Sequence, residues 1–577
     1  MNNIRINKAS ANPAGTFQQE SKEPVKLTGA RILVQSLIEQ GVDVVFGYPG
    51  GAILNVYDAL YDSSIRHVIT SHEQGASHAA DGYARSTGKP GVVLATSGPG
   101  ATNLVTGIAT AYHDSVPLVA VTCNVTRDLI GRDSFQEVDI VDITNPIVKH
   151  NYMIQDVNEI AHVVKEAFEI ASSGRKGPVL IDIPKDITAA EALYLPEGRY
   201  QLRETPRPDK DSLLKAAEVI EGSEAPLIFC GGGVTFSDSG ELLAKLADRL
   251  QAPVCVSMMG LSAIPPDNQY YLGLVGMHGT AAANQAVLDC DVLITVGARF
   301  SDRVTGDREL FSKNKRVVHI DIDPSEISKN IHTDYPVVGE AARCISELLS
   351  ILPRQKRPDW MHRVLKNKAL NSLPVVSADG SLTAKEIIST LSRLTENNSI
   401  VATDVGQHQM FVAQYYSFFK PRTFISSCGL GTMGYGMGAA NGAAVGNPGT
   451  QVILVTGDGS FHMNMTELAV AVSNRLPIVI LVMNNRVLGM VHQWQKLFYN
   501  ERYSQTELGR KTDYVKTAEG FGAAGLRIVN REQLEPVLKD ALAMKGPVVV
   551  DCRIEASERV FPIIPPGKTG RDMIYFD

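Results

Sequence analysis

The sequence predicts an α/β chain of three doubly wound parallel-sheet domains, and three observations carry that reading. Short apolar, β-rich runs recur along the chain and end in glycine-bearing turns that open helical segments, the pattern of parallel strands covered by helices on both faces. At 577 residues the chain exceeds what one hydrophobic core serves, so two to four domains are expected. Two aperiodic stretches divide it: 196–211, rich in Pro, Arg and Asp, and the charged stretch 353–380.

Taken in order, residues 1–26 are polar and lack an apolar run of signal-peptide length. They read as a disordered tail, and with Arg5 as the sole arginine before Arg31 a transit peptide is poorly supported. The first domain, 27–195, has strand candidates at 44–46, 67–70, 91–96, 117–122 and 178–183, several of them running into Gly-rich turns such as 47–51 and 97–103. The second, 212–352, has candidates at 227–229, 254–257, 292–296 and 317–322, with Gly231-Gly232-Gly233 after the first, a nonspecific nucleotide-loop signal. The third, 381–577, has candidates at 400–403, 424–427, 452–455, 478–482 and 548–551, and two of the three domains are expected to share one plan.

Composition removes several function classes. The chain is 44% hydrophobic and 20% charged, with a formal charge of −7 and no long basic run, which argues against nucleic acid as a partner. No stretch offers the roughly twenty continuous apolar residues of a membrane helix. Seven cysteines, at 123, 230, 255, 290, 344, 428 and 552, lack CxxC spacing and read as buried free thiols in a reducing compartment. A cytoplasmic location is the expectation.

The chemistry concentrates in 451–485, QVILVTGDGSFHMNMTELAVAVSNRLPIVILVMNN. A strand breaks at Gly457-Asp458-Gly459, a helical segment and Ser460 follow, and Pro477 opens a second strand that ends in Asn484-Asn485. In such a β-α-β unit the strands are parallel, so Asp458 and Asn485 both stand at carboxyl ends, where open α/β sheets bind ligands. The glycines let backbone approach an anion, and a carboxylate beside an amide oxygen suits Mg²⁺ bound with phosphate. Glu73, where a strand hands over to a helix beginning Gln74-Gly75-Ala76, is by itself a first-turn carboxylate facing the helix dipole. No H-E-x-x-H spacing occurs, so His72, His113 and His462 are expected to satisfy local hydrogen bonds.

The GDG-to-NN pattern resembles the thiamine diphosphate signature, and HEQGASHAADGYARSTGKPGVVLATSGPGATN (72–103) resembles the pyrimidine-binding half of such enzymes. FGYPGGAIL (46–54), IGRDSFQE (130–137), GPVLIDIPKDIT (177–188), GMHGTAAANQAV (276–287), GARFSDRVTGD (297–307), HIDIDPSEI (319–327), VGQHQM (405–410), GLGTMGYG (429–436) and NNRVLGMVHQWQ (484–495) together resemble the catalytic subunit of biosynthetic, FAD-containing acetohydroxyacid (acetolactate) synthases. The resemblance covers nearly everything after residue 27.

That resemblance implies thiamine diphosphate, Mg²⁺ and FAD as cofactors, with pyrimidine-binding, central FAD-binding and diphosphate-binding domains in that order. Asp458, Asn485 and the Val487 carbonyl would hold the metal, and Glu73 would activate the aminopyrimidine. Gly51 would sit near the reactive carbon. Gln407, His408, Gly431, Gly457, Gly459 and Ser460 would touch the cofactor, and Met433 would bend it. Arg303 would meet the carboxylate of the second 2-ketoacid, a task that suits a bidentate guanidinium. Trp494 and Met490 would shape the acceptor pocket, with Phe135, Gln136 and Lys185 along the channel. Arg175, His278, Gly279, Thr280, Gly297, Ala298, Arg299, Asp321 and Asp323 would contact FAD. Taken singly, Met433 and Phe135 read as core residues, Trp494 as part of an amphipathic helix, and Arg303 and Lys185 as solvated charges.

The implied reaction decarboxylates pyruvate and adds the resulting hydroxyethyl carbanion to a second 2-ketoacid, giving 2-acetolactate or 2-aceto-2-hydroxybutyrate, at the head of branched-chain amino acid synthesis. A homodimer or homotetramer with a small regulatory subunit is implied as well. Ser301 stands where such proteins commonly have Asp, and Asn124 and Thr126 replace the commoner Gln and Pro respectively, which bears on the channel mouth and inhibitor sensitivity. A pyruvate oxidase using the flavin for redox and a catabolic acetolactate synthase are the rival enzymes. From another class, a silent nucleotide-binding regulator predicts damage at Glu73, Asp458 or Asn485, and all three are present.

Overall fold

The computed structural model describes residues 24–205, 207–370, 381–396 and 398–576. The expected tail therefore lies, through residue 23, outside the described residues, as does 371–380 of the second expected linker.

The first domain holds β2 (Val44–Gly47), β3 (Arg66–Ile69), β4 (Gly91–Ala95), β5 (Leu118–Asn124), β6 (His150–Met153) and β7 (Pro178–Pro184) in one parallel sheet of order β3-β2-β4-β5-β7-β6. β1 (Val25–Thr28) and β8 (Glu191–Tyr194) pair antiparallel beside it, so Val25 and Lys26 belong to a ribbon rather than to a tail. The middle sheet runs β11-β10-β9-β12-β13-β14, from β9 (Pro226–Cys230), β10 (Val254–Val256), β11 (Tyr271–Leu274), β12 (Val292–Val296), β13 (Arg316–Asp321) and β14 (Tyr335–Val338). The third runs β16-β15-β17-β18-β20-β19, from β15 (Ile400–Thr403), β16 (Phe424–Ile425), β17 (Val452–Gly457), β18 (Ile478–Asn484), β19 (Ala524–Ile528) and β20 (Val548–Arg553).

Numbered from its own first strand, the first sheet and the third share the order 2-1-3-4-6-5, whereas the middle one is 3-2-1-4-5-6, the dinucleotide-binding order. Each sheet thus has a reversal of strand order at or beside its first strand: β2 beside β4, β9 beside β12, β15 beside β17. Above the carboxyl ends at such points the connections diverge to opposite faces and leave a crevice.

Helix patterning fixes these layers. In helix Ala384–Leu394, Ala384, Ile387, Ile388 and Leu391 recur at helical spacing and are all buried against the third sheet, and Thr383 with Glu386 forms a capping box. Each buried Ile or Leu there contributes about 1.5–3 kcal/mol. The first and third domains meet through helices Glu73–Thr87 and Tyr435–Gly446. Eight of the twelve residues of the second are Gly or Ala, and a Cβ on Gly442 would lie 1.8 Å from the Ala79 carbonyl oxygen, so the two backbones touch.

Two expectations need correction. The helix Lys210–Glu221 begins inside the expected linker 196–211. Within 353–380, Pro358–Leu370 is a helix on the central domain: Trp360 and Val364 are buried, Trp360 Nε1 donates to the Pro226 carbonyl (2.9 Å), and buried Arg357 donates to the carbonyls of Ser223 and Ile220. Its many charged side chains masked this narrow apolar stripe.

Candidate active site

The three crevices gather most of the residues singled out above. In the third sheet, Gly457 of β17 stands beside Met483 of β18, which brings Asp458 next to Asn484-Asn485. Asp458 opens helix Asp458–Asn464 and is buried; burial pushes its carboxyl up to about 6, against backbone N–H bonds from Gly459 and Arg486. Arg486 adopts φ +63°, and the turn it makes lets Asn485 Oδ1 accept the Val487 N–H (3.2 Å). Among the described residues no group of three or more His, Cys, Asp or Glu could hold a metal. A cation at Asp458 would therefore complete its shell from the Asn485 amide oxygen, a backbone carbonyl such as that of Val487, and phosphate oxygens.

Around this point Gly457 abuts His408, since a Cβ there would lie 2.9 Å from His408 Nδ1. Burial pushes the His408 imidazole down to about 3, so it is neutral, and its Nε2 has no partner. Gln407 is anchored in the wall: its Nε2 donates to Gln493 Oε1 (2.9 Å) and to the Glu558 carbonyl (3.1 Å), and its Oε1 accepts from Asn485 Nδ2 (3.4 Å). Ser460 Oγ donates to the Val405 carbonyl (3.3 Å). Gly431 has φ +74°, and Met433 Cε reaches to 3.8 Å of the position a Gly459 Cβ would take.

A cleft of ≈ 1110 Å³ runs from here to the middle sheet, above the usual ~300–1,000 Å³ of a small-molecule site. Its walls include Met433, Met490 and Trp494 on one side and Arg175, His278, Gly297, Ala298, Arg299, Ser301 and Asp321 on the other. The glycines at the middle switch point are required by packing: a Cβ on Gly231 would lie 2.2 Å from the Gly297 carbonyl oxygen, and one on Gly233 2.7 Å from Gly297 Cα. Arg175 bridges domains, donating to Ser115 Oγ and pairing with Asp323 (3.3 Å) and Glu326 (2.7 Å). Arg303 lies 5.4 Å over the Trp494 ring, which joins the central domain to helix Gly489–Phe498.

Three residues expected along a flavin do not line this cleft. Gly279 packs against Leu274 and Val275, Thr280 caps helix Ala281–Asp289 through the Ala283 N–H, and Asp323 is spent on Ser325 and Arg175.

Glu73, Gly51, Phe135, Gln136 and Lys185 do not line it either; they belong to the carboxyl edge of the first sheet. There Gly50 meets Thr96, whose Oγ1 accepts the Ala52 N–H, and Gly51 beside it faces open space. Glu73 Oε2 accepts from Asn103 Nδ2 (2.9 Å), while Oε1 lies 3.3 Å from where a Gly100 Cβ would be. Gln136, at φ +60°, crowds Gly98, and Lys185 opens the short helix after β7. Around them Tyr48, Leu54, Leu129, Ile130 and Phe135 (87%) are exposed, an apolar surface unusual for a free face. Of the substituted positions, Asn124 is buried and donates to Asp182 Oδ2 (2.8 Å) and the Val138 carbonyl. Of the histidines, His72 accepts the Gln74 N–H as expected, but buried Nε2 of His462 has no partner.

Sequence reasoning missed three buried acids. Asp404 accepts the Gly436 N–H and the Thr456 hydroxyl, bracing the third switch point. Asp114 ion-pairs with Arg85, which also holds Asp81. Glu467, fully buried, accepts the Ser71 N–H (3.1 Å) beside Glu73 and leaves Oε2 without a partner. Burial pushes the Glu467 carboxyl up to about 7, so the folded state holds this proton more tightly than the unfolded chain. Its stabilising contribution is complete below about pH 4.5 and is lost as pH rises to about 7. Glu467→Gln should therefore gain roughly 2–3 kcal/mol on the parent between pH 5 and pH 8, read from denaturant unfolding at both pH values; a constant difference refutes the assignment.

Comparison with known proteins places these crevices in a family. Residues 27–143 match the thiamine pyrophosphate enzyme N-terminal TPP binding domain, 213–348 the central domain, and 404–552 the C-terminal TPP binding domain. The chain is 45% identical over 565 residues to a probable acetolactate synthase large subunit of Methanocaldococcus jannaschii, with 94% of each chain covered. It is 43% identical to the acetolactate synthase large subunit of Haemophilus influenzae, covering 95% of this chain and 98% of that one, and 44% identical to an acetolactate synthase of Mycobacterium bovis, covering 95% and 91%. With all three domains matched in order and relatives alike over nearly their whole length, the chain belongs to the acetolactate synthase large-subunit family of thiamine pyrophosphate enzymes.

Proposed function

We propose that this protein decarboxylates pyruvate and condenses the two-carbon unit with a second 2-ketoacid, forming 2-acetolactate from pyruvate and 2-aceto-2-hydroxybutyrate from 2-ketobutyrate. The observation that carries the reading is the pair of like sheets: one presents Glu73 and the other Asp458 with Asn485, each at its switch point. The residues fit the cofactor. A buried carboxylate whose pKa burial has raised is ready to be paired by Mg²⁺, and at Gly457 and Gly459 the lack of a side chain lets His408 and Leu488 pack close around it. Bound thiamine diphosphate supplies the electron sink for decarboxylation and carbon–carbon bond formation.

The chain's residues supply the rest. Glu73, anchored through Oε2 by Asn103, offers Oε1 for proton exchange with the aminopyrimidine. Arg303, held over Trp494, takes the carboxylate of the acceptor, and Met490 and Trp494 bound its side-chain pocket. Met433, whose Cε comes within 3.8 Å of the position a Gly459 Cβ would take, would prop the cofactor. Phe135, Gln136 and Lys185 form the approach from solvent.

Flavin fits the middle crevice, whose strand order and glycine contacts favour a dinucleotide, with Arg175, His278, Arg299 and Asp321 around it. The condensation transfers no net electrons, so the flavin's role is structural. Because Glu73 is absent from the cleft that holds Asp458, and an apolar collar surrounds it, a complete site takes Glu73 from one chain and Asp458 from another, in a homodimer or a pair of dimers. A small regulatory subunit agrees with the relatives' designation as large subunits. Among the described residues no helix is long and apolar enough to cross a membrane.

The test is acetolactate formation by the purified protein with Mg²⁺, thiamine diphosphate and FAD, under anaerobic conditions without an oxidant, with pyruvate alone and with added 2-ketobutyrate. Product without oxidant supports the condensation; activity that appears only with an electron acceptor indicates a pyruvate oxidase instead.

A further inference from the structure

The loop 427–433 carries Gly431 and Met433 to the diphosphate side of the cleft, and it is held by a residue of another domain. Asp114 ends helix Val105–Asp114 of the first domain, and its side chain is fully buried. Its Oδ1 accepts the Gly429 N–H (2.7 Å), and its Oδ2 accepts the Cys428 N–H (2.8 Å) and Arg85 Nη2 (2.8 Å). One turn earlier on the same helix, Thr110 Oγ1 bonds Thr432 Oγ1 (2.8 Å), and Ser427 Oγ accepts the Thr432 N–H (3.0 Å). One helix face thus pins the loop at both ends.

At its centre the loop meets the central domain. A Cβ on Gly429 would lie 2.9 Å from Asp114 Oδ1, 3.0 Å from His113 Cβ and 3.2 Å from Arg299 Nη2. Arg299 follows the glycine that closes the middle switch point and lines the crevice there. The Glu326 carboxylate that feels Arg299 is already paired with Arg175 and Lys329, which leaves the guanidinium able to serve an anion. A single glycine therefore separates the arginine of one crevice from the carboxylate that holds the loop of the other.

We propose that Asp114 is a positioning residue for the loop 427–433, and that Gly429 is the contact through which a dinucleotide in the middle crevice strengthens thiamine diphosphate binding. The proposal rests on the flavin reading above. An anionic dinucleotide fixes Arg299; Arg299 confines Gly429 against Asp114; Gly431 and Met433 are then ordered before the second ligand arrives, so less ordering entropy is lost on binding. Linkage makes the effect reciprocal.

The experiment uses the full-length protein stripped of cofactors. FAD affinity is read from flavin fluorescence, and thiamine diphosphate affinity with Mg²⁺ from calorimetry, each with and without the other ligand. The parent should show coupling of roughly 5- to 150-fold, equal in both directions. Thr432→Val, which removes the bond to Thr110, should bind FAD alone within about twofold of the parent and lose most of the coupling, and Gly429→Ala, whose methyl intrudes between Arg299 and Asp114, should lose most of the coupling whatever its own FAD affinity. Asp114→Asn should do the same if it folds, and the other two variants decide the matter if it does not. FAD that binds the parent without changing thiamine diphosphate affinity overturns the proposal and leaves the flavin reading intact, as does full coupling in Gly429→Ala and Thr432→Val. A parent that binds no FAD overturns the flavin reading itself, and the proposal with it.

Discussion

Glu73→Gln should slow exchange of the thiazolium C2 proton by roughly 10²- to 10⁴-fold, the range spanned by general acid–base groups. Glu73 is nearly buried at the start of its helix, and Asn103 Nδ2 donates to one carboxylate oxygen. Glutamine keeps the volume, but its amide can present only one acceptor oxygen. If that oxygen keeps the Asn103 bond, an NH₂ group faces the cofactor and cannot cycle a proton. Cofactor affinity should change little, because the diphosphate is held elsewhere. Hydrogen–deuterium exchange at C2 of the bound cofactor gives the rate directly, and exchange at the parent rate would remove Glu73 from the chemistry.

The second large effect is at the metal. Asp458→Ala should weaken thiamine diphosphate binding in the presence of Mg²⁺ by more than ~10²-fold, since even outer-shell partners of metal sites are worth about 10- to 100-fold. The cofactor-free protein should not lose stability. Burial already raises the Asp458 carboxyl toward neutrality, the mark of a charge the empty fold accommodates at a cost. Thermal unfolding separates the two effects: the variant should melt at or above the parent's temperature without ligands and show no upward shift on adding Mg²⁺ and thiamine diphosphate. A ligand-induced shift as large as the parent's contradicts the metal assignment.

How much of this was legible before the fold is clear from particular elements. Interior strands such as β5, β9 and β18 are buried along their whole length and therefore read as continuous apolar runs. The strands that escaped the reading, β6, β11, β14 and β19, all lie at sheet edges, and β1 and β8 form a separate ribbon. Half-exposed sequences such as His150–Met153 carry no such run. Asp458 and Asn485 were legible because a strand, a GDG turn, a helix and a second strand fix their placement by topology alone. Asp114, Asp404 and Glu467 were not, because a single acid in a helix or after a strand gains meaning only from partners on other elements: Cys428 for Asp114 and Ser71 for Glu467, both hundreds of residues away, and Gly436 and Thr456 for Asp404. The separation of Glu73 from the Asp458 cleft was equally invisible in composition or spacing.

That separation is where the account is most exposed. If each complete site takes Glu73 from one chain and Asp458 from another, the Glu73→Gln and Asp458→Ala proteins are each inactive for different reasons. Mixing them under conditions of verified subunit exchange gives hybrid dimers, each with one site built from two intact halves and one from two damaged halves. Acetolactate formation should then rise well above that of either variant, toward half the parent rate per hybrid dimer. Mixtures that exchange subunits fully and stay as inactive as the single variants would mean that Glu73 and Asp458 serve the same site from the same chain, and would contradict the account.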